Sequence, residues 1–437
     1  MMSKKSKTST NQNATLKKVG NVGEITEYTL ETNGLRVFFV PRPHTGVVTS
    51  SIMYKVGSRD EICGETGLAH MLEHMLFKPT HFDKKRKSDP GAMRFERETG
   101  CTLNAYTSRD RTNYYFSYPK EHFNRALQIE AERMHGVILT DAEFKPEQTN
   151  VLSEFDMYAG DELFTLSLEM IGIAFQSHPY GNEVIGYRED IEALTTEKLE
   201  AFYRAHYTPE NATYVIVGDV TEKELEETIL THFKDIPRLS SMLKRREITE
   251  PKQQGIRTTS VIRPSETQVY GLGIKYAPFP TKEWFETMII FDLLAGGEDS
   301  ILHKRLVDTG LAARVQSQFE PSRDINLGMF FITLSKKTTH EKMHQLFLKT
   351  ITELTATTIT PFLKKTMAKV LTSEYTNREN SLGLAMELVE YASVDAVEQF
   401  FDSEKILMSI TARDIENRIR ELFNEDVLTI GYFIGKK

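Results

Sequence analysis

The stretch His70-Met71-Leu72-Glu73-His74 places two histidines four residues apart, with a glutamate between them. Gly67-Leu68-Ala69 before it and Met75-Leu76-Phe77 after it favour a helix that ends at Pro79. Residues three and four apart share one face of a helix, so both imidazoles and the Glu73 carboxylate project from the same side. Such a group favours zinc, and a position left open for water would make the metal catalytic. The alternative is a surface pair of histidines that binds no metal.

The composition is that of an ordinary globular protein. The chain has 437 residues, of which 40% are hydrophobic and 27% charged, and this length predicts at least two domains. A net charge of −8 argues against a nucleic-acid partner. With only two cysteines, Cys63 and Cys101, no disulfide framework is expected. No apolar run reaches membrane-spanning length, so we expect no membrane span and a cytoplasmic protein, with a periplasmic or organellar location left open.

Four segments are predicted along the chain. Residues 1–23 lack acidic residues and are rich in Lys, Ser, Thr and Asn, which indicates a disordered tail. Residues 24–236 form the predicted zinc-binding catalytic domain. Between 237 and 257 the hydrophobic periodicity fails and Pro, Lys, Arg and Gln accumulate, as in a linker. Residues 258–437 form a second, homologous domain, in which the H-x-x-E-H metal motif of the first half does not recur.

The order of strands and helices repeats on the two sides of the linker. An apolar strand at Val47–Tyr54 precedes the metal helix, and a similar strand at Gln268–Tyr276 precedes a helix near Phe285–Leu294. We therefore predict an α+β fold built of two similar α/β-sandwich halves, related as an internal pseudo-repeat. Each half is expected to contain a mainly antiparallel sheet packed with helices.

A catalytic zinc normally has a third protein ligand besides two histidines. Glu147 and Glu154 lie seven residues apart on a predicted helix over Pro146–Tyr158, and this spacing puts them on one face. One carboxylate could bind the metal while the other supports a ligand from behind. The spacing alone leaves open that both are surface carboxylates of an amphipathic helix.

Taken together, these residues resemble the pitrilysin-type (M16) zinc metallopeptidases, which carry an inverted zinc motif. This family includes the mitochondrial processing peptidases and short-chain bacterial relatives. The resemblance follows a series of landmarks that occur in order through the first half: Gly57–Glu61, Gly67–Lys78, Asn104–Thr107, the pair Glu147 and Glu154, His178–Gly181, Tyr207–Asn211 and Val217–Asp219.

The resemblance implies a role for each residue of the motif. It makes His70, His74 and Glu154 the ligands of one zinc ion per chain. Glu73 becomes the general base that activates water, and Glu147 supports a metal ligand. Zinc would lower the pKa of a bound water and polarise the peptide carbonyl, while Glu73 carries the proton to the leaving amine.

The resemblance also implies a substrate class. The strand that carries Asn104, Ala105 and Tyr106 resembles the family's edge strand, which pairs with an extended substrate backbone. The function implied is that of a zinc-dependent endopeptidase that cleaves short or unfolded peptides inside a closed chamber formed by two subunits. The alternative is a non-catalytic scaffold or processing-complex subunit of the same fold.

The second half departs from the family pattern R-x-x-x-G-L-A-Y. Leu306 stands at the Arg position and Ala313 at the Tyr position, and neither side chain can donate a hydrogen bond to an oxyanion. Arg305 and Arg314 are each one residue out of register. We therefore predict a heterodimer in which a similar, zinc-free subunit supplies the Arg and the Tyr; the alternative is a homodimer.

Overall fold

The structure is a computed structural model in which residues 14–83, 91–239 and 245–436 are described. Within these ranges helices pack against two β-sheets, one in each half of the chain. This architecture confirms the predicted α+β fold. Residues 1–13 of the predicted tail and residues 240–244 of the predicted linker lie outside the described residues.

The first half builds the larger sheet. Its strands are β1 (Leu16–Val22), β2 (Ile25–Leu30), β3 (Arg36–Pro41), β4 (Val47–Tyr54), β5 (Thr102–Thr107), β6 (Thr112–Pro119) and β7 (Ala212–Gly218). Their order across the sheet is β1-β2-β3-β7-β4-β6-β5, with β3 and β7 parallel and the other neighbours antiparallel. The helices are α1 (Leu68–Met75), α2 (Gly91–Thr99), α3 (Phe123–Gly136), α4 (Asp141–Ala159), α5 (Glu162–Ala174), α6 (Arg188–Ala193), α7 (Thr196–His206) and α8 (Glu222–Phe233).

The second half builds the smaller sheet. Its strands are β8 (Arg257–Pro264), β9 (Gln268–Tyr276), β10 (Ala312–Gln318), β11 (Asn326–Leu334) and β12 (Thr429–Lys436). Their order is β10-β11-β9-β12-β8, and only β8 and β12 are parallel. The helices are α9 (Lys282–Ala295), α10 (His340–Thr352), α11 (Ala356–Glu379), α12 (Ser381–Ser393), α13 (Ser403–Ser409) and α14 (Ala412–Leu422).

The two sheets share one topology. The order β3-β7-β4-β6-β5 in the first sheet corresponds, strand for strand, to β8-β12-β9-β11-β10 in the second, and the single parallel pair stands at the same place in both. The hairpin of β1 and β2 is an addition at one edge of the first sheet. The predicted pseudo-repeat is thus present in the strand connectivity itself.

The predicted disordered tail is wrong for part of its length. Leu16–Val22, inside the predicted tail 1–23, forms β1 and pairs antiparallel with β2. The sequence of this segment does not indicate a strand, because only Leu16 of β1 is buried and most of the other residues are exposed. The strand is stabilised instead by main-chain hydrogen bonds at a sheet edge.

One helix from each half packs on the sheet of the other half. Helix α5 packs on β8, β9 and β12, and helix α12 packs on β4 and β7. Met170 of α5 lies so close to the second sheet that a Cβ at Gly271 or Gly431 would meet its sulfur at 2.6 or 2.5 Å. These glycines therefore admit the helix, and the two halves share a continuous apolar contact.

The predicted linker is packed against both halves. Its described residues contain no helix or strand before Arg257, where β8 begins. Arg245 forms an ion pair with Asp60 at 3.1 Å, and Gln253 donates a hydrogen bond to the Leu428 carbonyl at 2.9 Å. The described part of the segment is thus held against both halves.

Candidate metal centre

Helix α1 turns its histidines away from the core because its opposite face is buried. Leu68, Met71, Leu72 and Met75 are buried in the first-half core. Gly67 caps the start of the helix with a φ of +83°, and a Cβ on this residue would lie only 2.4 Å from the carbonyl oxygen of Ile185, so glycine alone fits. The sequence pattern therefore fixes both where α1 starts and which face remains for the two histidines and the glutamate of the motif.

The structure brings the three predicted metal ligands together. One ligand atom each of His70, His74 and Glu154 lies within 4.8 Å of the other two. A single carboxylate oxygen, Glu154 Oε2, lies 3.8 Å from His70 Nε2 and 3.6 Å from His74 Nε2. Helix α4 supplies Glu154 and packs directly on α1, so two helices define the cluster.

The donor set fits zinc. Ligand atoms at zinc–ligand distances of about 2.0–2.1 Å in a tetrahedral site lie roughly 3.4 Å apart, close to the two separations that Glu154 makes here. Burial, and then the neighbouring His74, lower the pKa of His70 to about 3, which keeps this imidazole in the neutral form that binds a metal. His70 Nδ1 is buried and has no hydrogen-bond partner among the described residues.

Glu147 lies behind His74. Its Oε2 atom is 3.4 Å from His74 Nδ1, on the side of the ring opposite to Glu154. Lys78 binds Glu147 Oε1, and Asn150 donates to the same oxygen at 3.1 Å. Burial alone would raise the pKa of Glu147, but these donors, Lys78 first, outweigh burial and lower it. The carboxylate therefore stays ionised beside the imidazole, an arrangement that orients a metal-binding histidine.

Glu73 stands apart from the ligand cluster. Its Oε2 accepts a hydrogen bond of 2.6 Å from the Thr107 hydroxyl, at the end of β5. Burial raises the pKa of Glu73, while Thr107 and His74 oppose that shift. The carboxylate is thus held beside the three ligand groups without being one of them.

A cavity of about 680 Å³ opens beside the cluster and is lined by Glu73, His74, Glu147 and Asn104, among others. Of the three residues predicted to bind substrate, Asn104 lies in this cavity. Ala105 packs against the first-half core, and the Tyr106 hydroxyl accepts a hydrogen bond from Arg111 at 3.3 Å. Their strand, β5, is the outer strand of its sheet and pairs only with β6, which leaves its other edge open.

Neither divergent position of the second half carries a hydrogen-bonding side chain. Leu306 is buried in the second-half core, and Ala313 is exposed on β10. Arg305, one residue away from Leu306, forms an ion pair with Glu353 at 2.6 Å. The side chain at position 306 is therefore a packing residue in this chain.

By position in the repeat, Asp292 is the second-half counterpart of His70. His70 is the sixteenth residue after Tyr54, where β4 ends, and Asp292 is the sixteenth after Tyr276, where β9 ends. Helix α9, which carries Asp292, packs on α11 as α1 packs on α4.

Lys369 is in turn the counterpart of Glu154. Glu154 is the eighth residue after Pro146 in α4, and Lys369 is the eighth after Pro361 in α11. Lys369 Nζ binds Asp292 Oδ1 at 2.6 Å and the Gly296 carbonyl at 2.8 Å. An ammonium group thus joins the two helices of the second half at the place where the first half gathers its ligand cluster.

Sequence reasoning missed two residues of the site. Thr107 and Lys78 belong to the motifs quoted above, yet neither received a role. Thr107 alternates with Tyr106 along β5, so it lies on the face opposite to Tyr106, toward α1. The alternation of side chains along β5 could have been predicted from the sequence. The contact between Lys78 and Glu147 could not, because it depends on a helix far along the chain.

Fold and site together define a two-half α+β protein with a His-His-Glu cluster and an adjacent, separately held glutamate. Family models agree with this class: residues 36–187 match "Insulinase (Peptidase family M16)" and residues 193–363 match "Peptidase M16 inactive domain". These two matches span most of the chain, which belongs to peptidase family M16.

Individual relatives support this assignment. The zinc protease PqqE of Helicobacter pylori is 29% identical over 400 residues, which cover 90% of this chain and 89% of that protein. The mitochondrial-processing peptidase subunit beta of Lentinula edodes is 26% identical over 68% of this chain and 64% of its own length. A crystal structure of a protease from Helicobacter pylori superposes with a TM-score of 0.88 at 27% identity, over 94% of this chain and 99% of that one.

None of the helices in the described part of the chain is both long and apolar enough to cross a membrane.

Proposed function

We propose that this protein is a zinc-dependent endopeptidase. One observation carries the proposal: three ligand groups converge from α1 and α4, while Glu73 stays outside the cluster and faces the same cavity. A structural metal site would be closed by a fourth protein ligand, whereas a hydrolytic site needs an unligated base and an open position. The naming of relatives as zinc proteases supports the same conclusion.

In this proposal each residue has one task. His70, His74 and Glu154 hold the zinc, which supplies Lewis acidity and lowers the pKa of water when it is bound. Glu73 accepts the proton of the attacking water and delivers it to the leaving amine. Glu147 keeps the His74 ring in the orientation that presents Nε2 to the metal.

The proposed substrate is an extended peptide that adds to the open edge of β5. Main-chain hydrogen bonds along Asn104, Ala105 and Tyr106 would supply affinity without demanding much sequence. An unfolded or short chain satisfies this requirement, because a folded protein does not offer a free extended backbone. The proposed site of cleavage is a chamber closed by a second subunit.

Zinc analysis combined with a peptidase assay tests the proposal. The purified chain, assayed with its partner subunit if one is needed, is expected to contain about one zinc per chain. It should cleave an unstructured fluorogenic peptide, lose activity on dialysis against a chelator and recover it with zinc. Protein that lacks both zinc and activity would instead favour the non-catalytic scaffold, an alternative supported by the match of residues 193–363 to an inactive domain.

We further propose that the chain is the zinc-bearing member of a heterodimer. Leu306 and Ala313 cannot donate to a developing oxyanion, and one relative is named as a subunit of a processing peptidase. A homologous, zinc-free chain would supply the missing Arg and Tyr. Donors of this kind are worth about 10²–10³ in turnover each.

Mixing experiments test this division of labour. Addition of a co-encoded, zinc-free homologue is expected to raise kcat/KM at least about a hundredfold over the single chain. Replacing the Arg and Tyr of that homologue should remove the stimulation. Full activity of the pure single chain, unchanged by the homologue, would favour the homodimer.

A further inference from the structure

The end of β5 is fixed in place from two directions. Thr107 pairs with Thr112 across the β5–β6 ladder, and the turn that follows is closed by a hydrogen bond of 2.8 Å between Ser108 N and the Arg111 carbonyl. Thr107 is therefore the last ladder residue before a tight turn, where the backbone has little freedom.

The second half clamps this turn. Arg109 binds Glu183 at 2.8 Å and also binds Glu320 of the second half, and Arg111 binds Glu390 on α12. The two arginine side chains are only 11% and 6% exposed, so their ion pairs with Glu183 and Glu390 are largely shielded from solvent, whereas Glu320 is 45% exposed. The position of the Thr107 backbone is thus set by contacts with both halves.

From this fixed point the Thr107 hydroxyl reaches the carboxylate of Glu73 at 2.6 Å. Glu73 is on a different element, α1, and a glutamate side chain has three rotatable bonds, so an unheld carboxylate would sample many orientations. A hydrogen bond from a rigid strand to one oxygen fixes the carboxylate relative to the ligand cluster. The edge of β5 is also proposed to bind the substrate. The same strand would therefore position the Glu73 carboxylate and the substrate relative to each other.

We propose that Thr107 is a positioning residue, whose hydroxyl fixes the Glu73 carboxylate for proton transfer. Thr107 is neither one of the three ligand residues nor one of the residues that line the cavity, and its hydroxyl bonds Glu73, so its effect passes through Glu73. The kinetic part of this proposal rests on the proposed peptidase function; the structural part does not.

Three variants separate a positioning role from a merely structural one. Thr107→Val keeps the β-branched shape that suits a strand but removes the hydroxyl. Thr107→Ser restores a hydroxyl. Thr333→Val is the matched control, because Thr333 is a partly buried threonine within β11, remote from the site.

We expect Thr107→Val to lower kcat about ten- to thirtyfold, with KM and zinc content unchanged, because only the orientation of the base is lost. Thr107→Ser should recover kcat to within about threefold of wild type, and Thr333→Val should match wild type. The proposal is overturned if the Val variant retains its kcat, if Ser is as slow as Val, or if zinc is lost together with activity.

Crystal structures provide a readout that does not depend on activity. In Thr107→Val the Glu73 carboxylate should leave its wild-type position or occupy several, whereas in Thr107→Ser it should stay. An unmoved Glu73 carboxylate in the Val variant refutes positioning, whether or not the wild-type protein cleaves peptides. A displaced carboxylate in a protein without peptidase activity would support positioning while the proposed function fails.

Discussion

Replacing Glu73 with glutamine is expected to abolish peptide cleavage, by at least about 10³-fold, while zinc content stays near one per chain. The amide has almost the same shape as the carboxylate and can keep a contact with Thr107, but it cannot accept a proton from water. Since Glu73 lies outside the cluster of His70, His74 and Glu154, its loss removes no metal ligand. Elemental analysis checks the zinc content, and kcat/KM measured on the same preparation checks the loss of peptide cleavage.

The control for this variant is Glu169→Gln, an exposed glutamate on α5 that lies outside the cluster and the cavity. It removes one negative charge from the same half and should leave kcat/KM within about twofold. Wild-type turnover by Glu73→Gln would show that another group handles the proton. Loss of zinc in Glu73→Gln would show that Glu73 is a ligand.

The second large effect is expected at Glu154. Binding of structural zinc by four ligands yields about 10–16 kcal/mol, or roughly 2.5–4 kcal/mol for each ligand. Glu154→Gln should therefore weaken zinc binding about a hundred- to a thousandfold, and the purified variant should be largely zinc-free and inactive. Competition with a chelator of known affinity measures the change directly.

A comparison along α4 sharpens this expectation. Glu147→Gln should weaken zinc binding only about ten- to a hundredfold, because Glu147 acts on His74 from behind. Glu143→Gln, near the start of the same helix, should leave zinc affinity unchanged. If Glu147→Gln lost more zinc than Glu154→Gln, the assignment of the two carboxylates would have to be reversed.

The sequence predicted the local parts of the site well, because they depend on helix periodicity and capping. Helix α1 lies within the predicted stretch from Gly67 to Pro79. Helix α4 begins at Asp141, before the predicted start at Pro146. Proline is favoured in the first turn of a helix, but Pro146 is the sixth residue of α4, so taking it as the start placed the helix five residues late.

The remaining features required the fold. The seven-residue spacing of Glu147 and Glu154 put both on one face but left open which of them meets the histidines, since the choice depends on how α4 lies on α1. Helix α5 was not predicted, and its packing on the sheet of the other half depends on contacts between residues far apart in the sequence. The turn at Ser108–Arg111 reads as an ordinary polar connection, and only the fold buries its arginines against Glu183 and Glu390.

The ion pair of Lys369 with Asp292 means that the two halves differ in where the positive charge between their paired helices comes from. Between α9 and α11 the positive charge is the lysine ammonium group. It is part of the polypeptide, so no chelator can remove it. On the proposed function, α1 and α4 depend on an ion from the surroundings to balance Glu154 between two imidazoles. Metal starvation would therefore loosen one half of the molecule and leave the other intact, and the half that loosens is the one that carries the base.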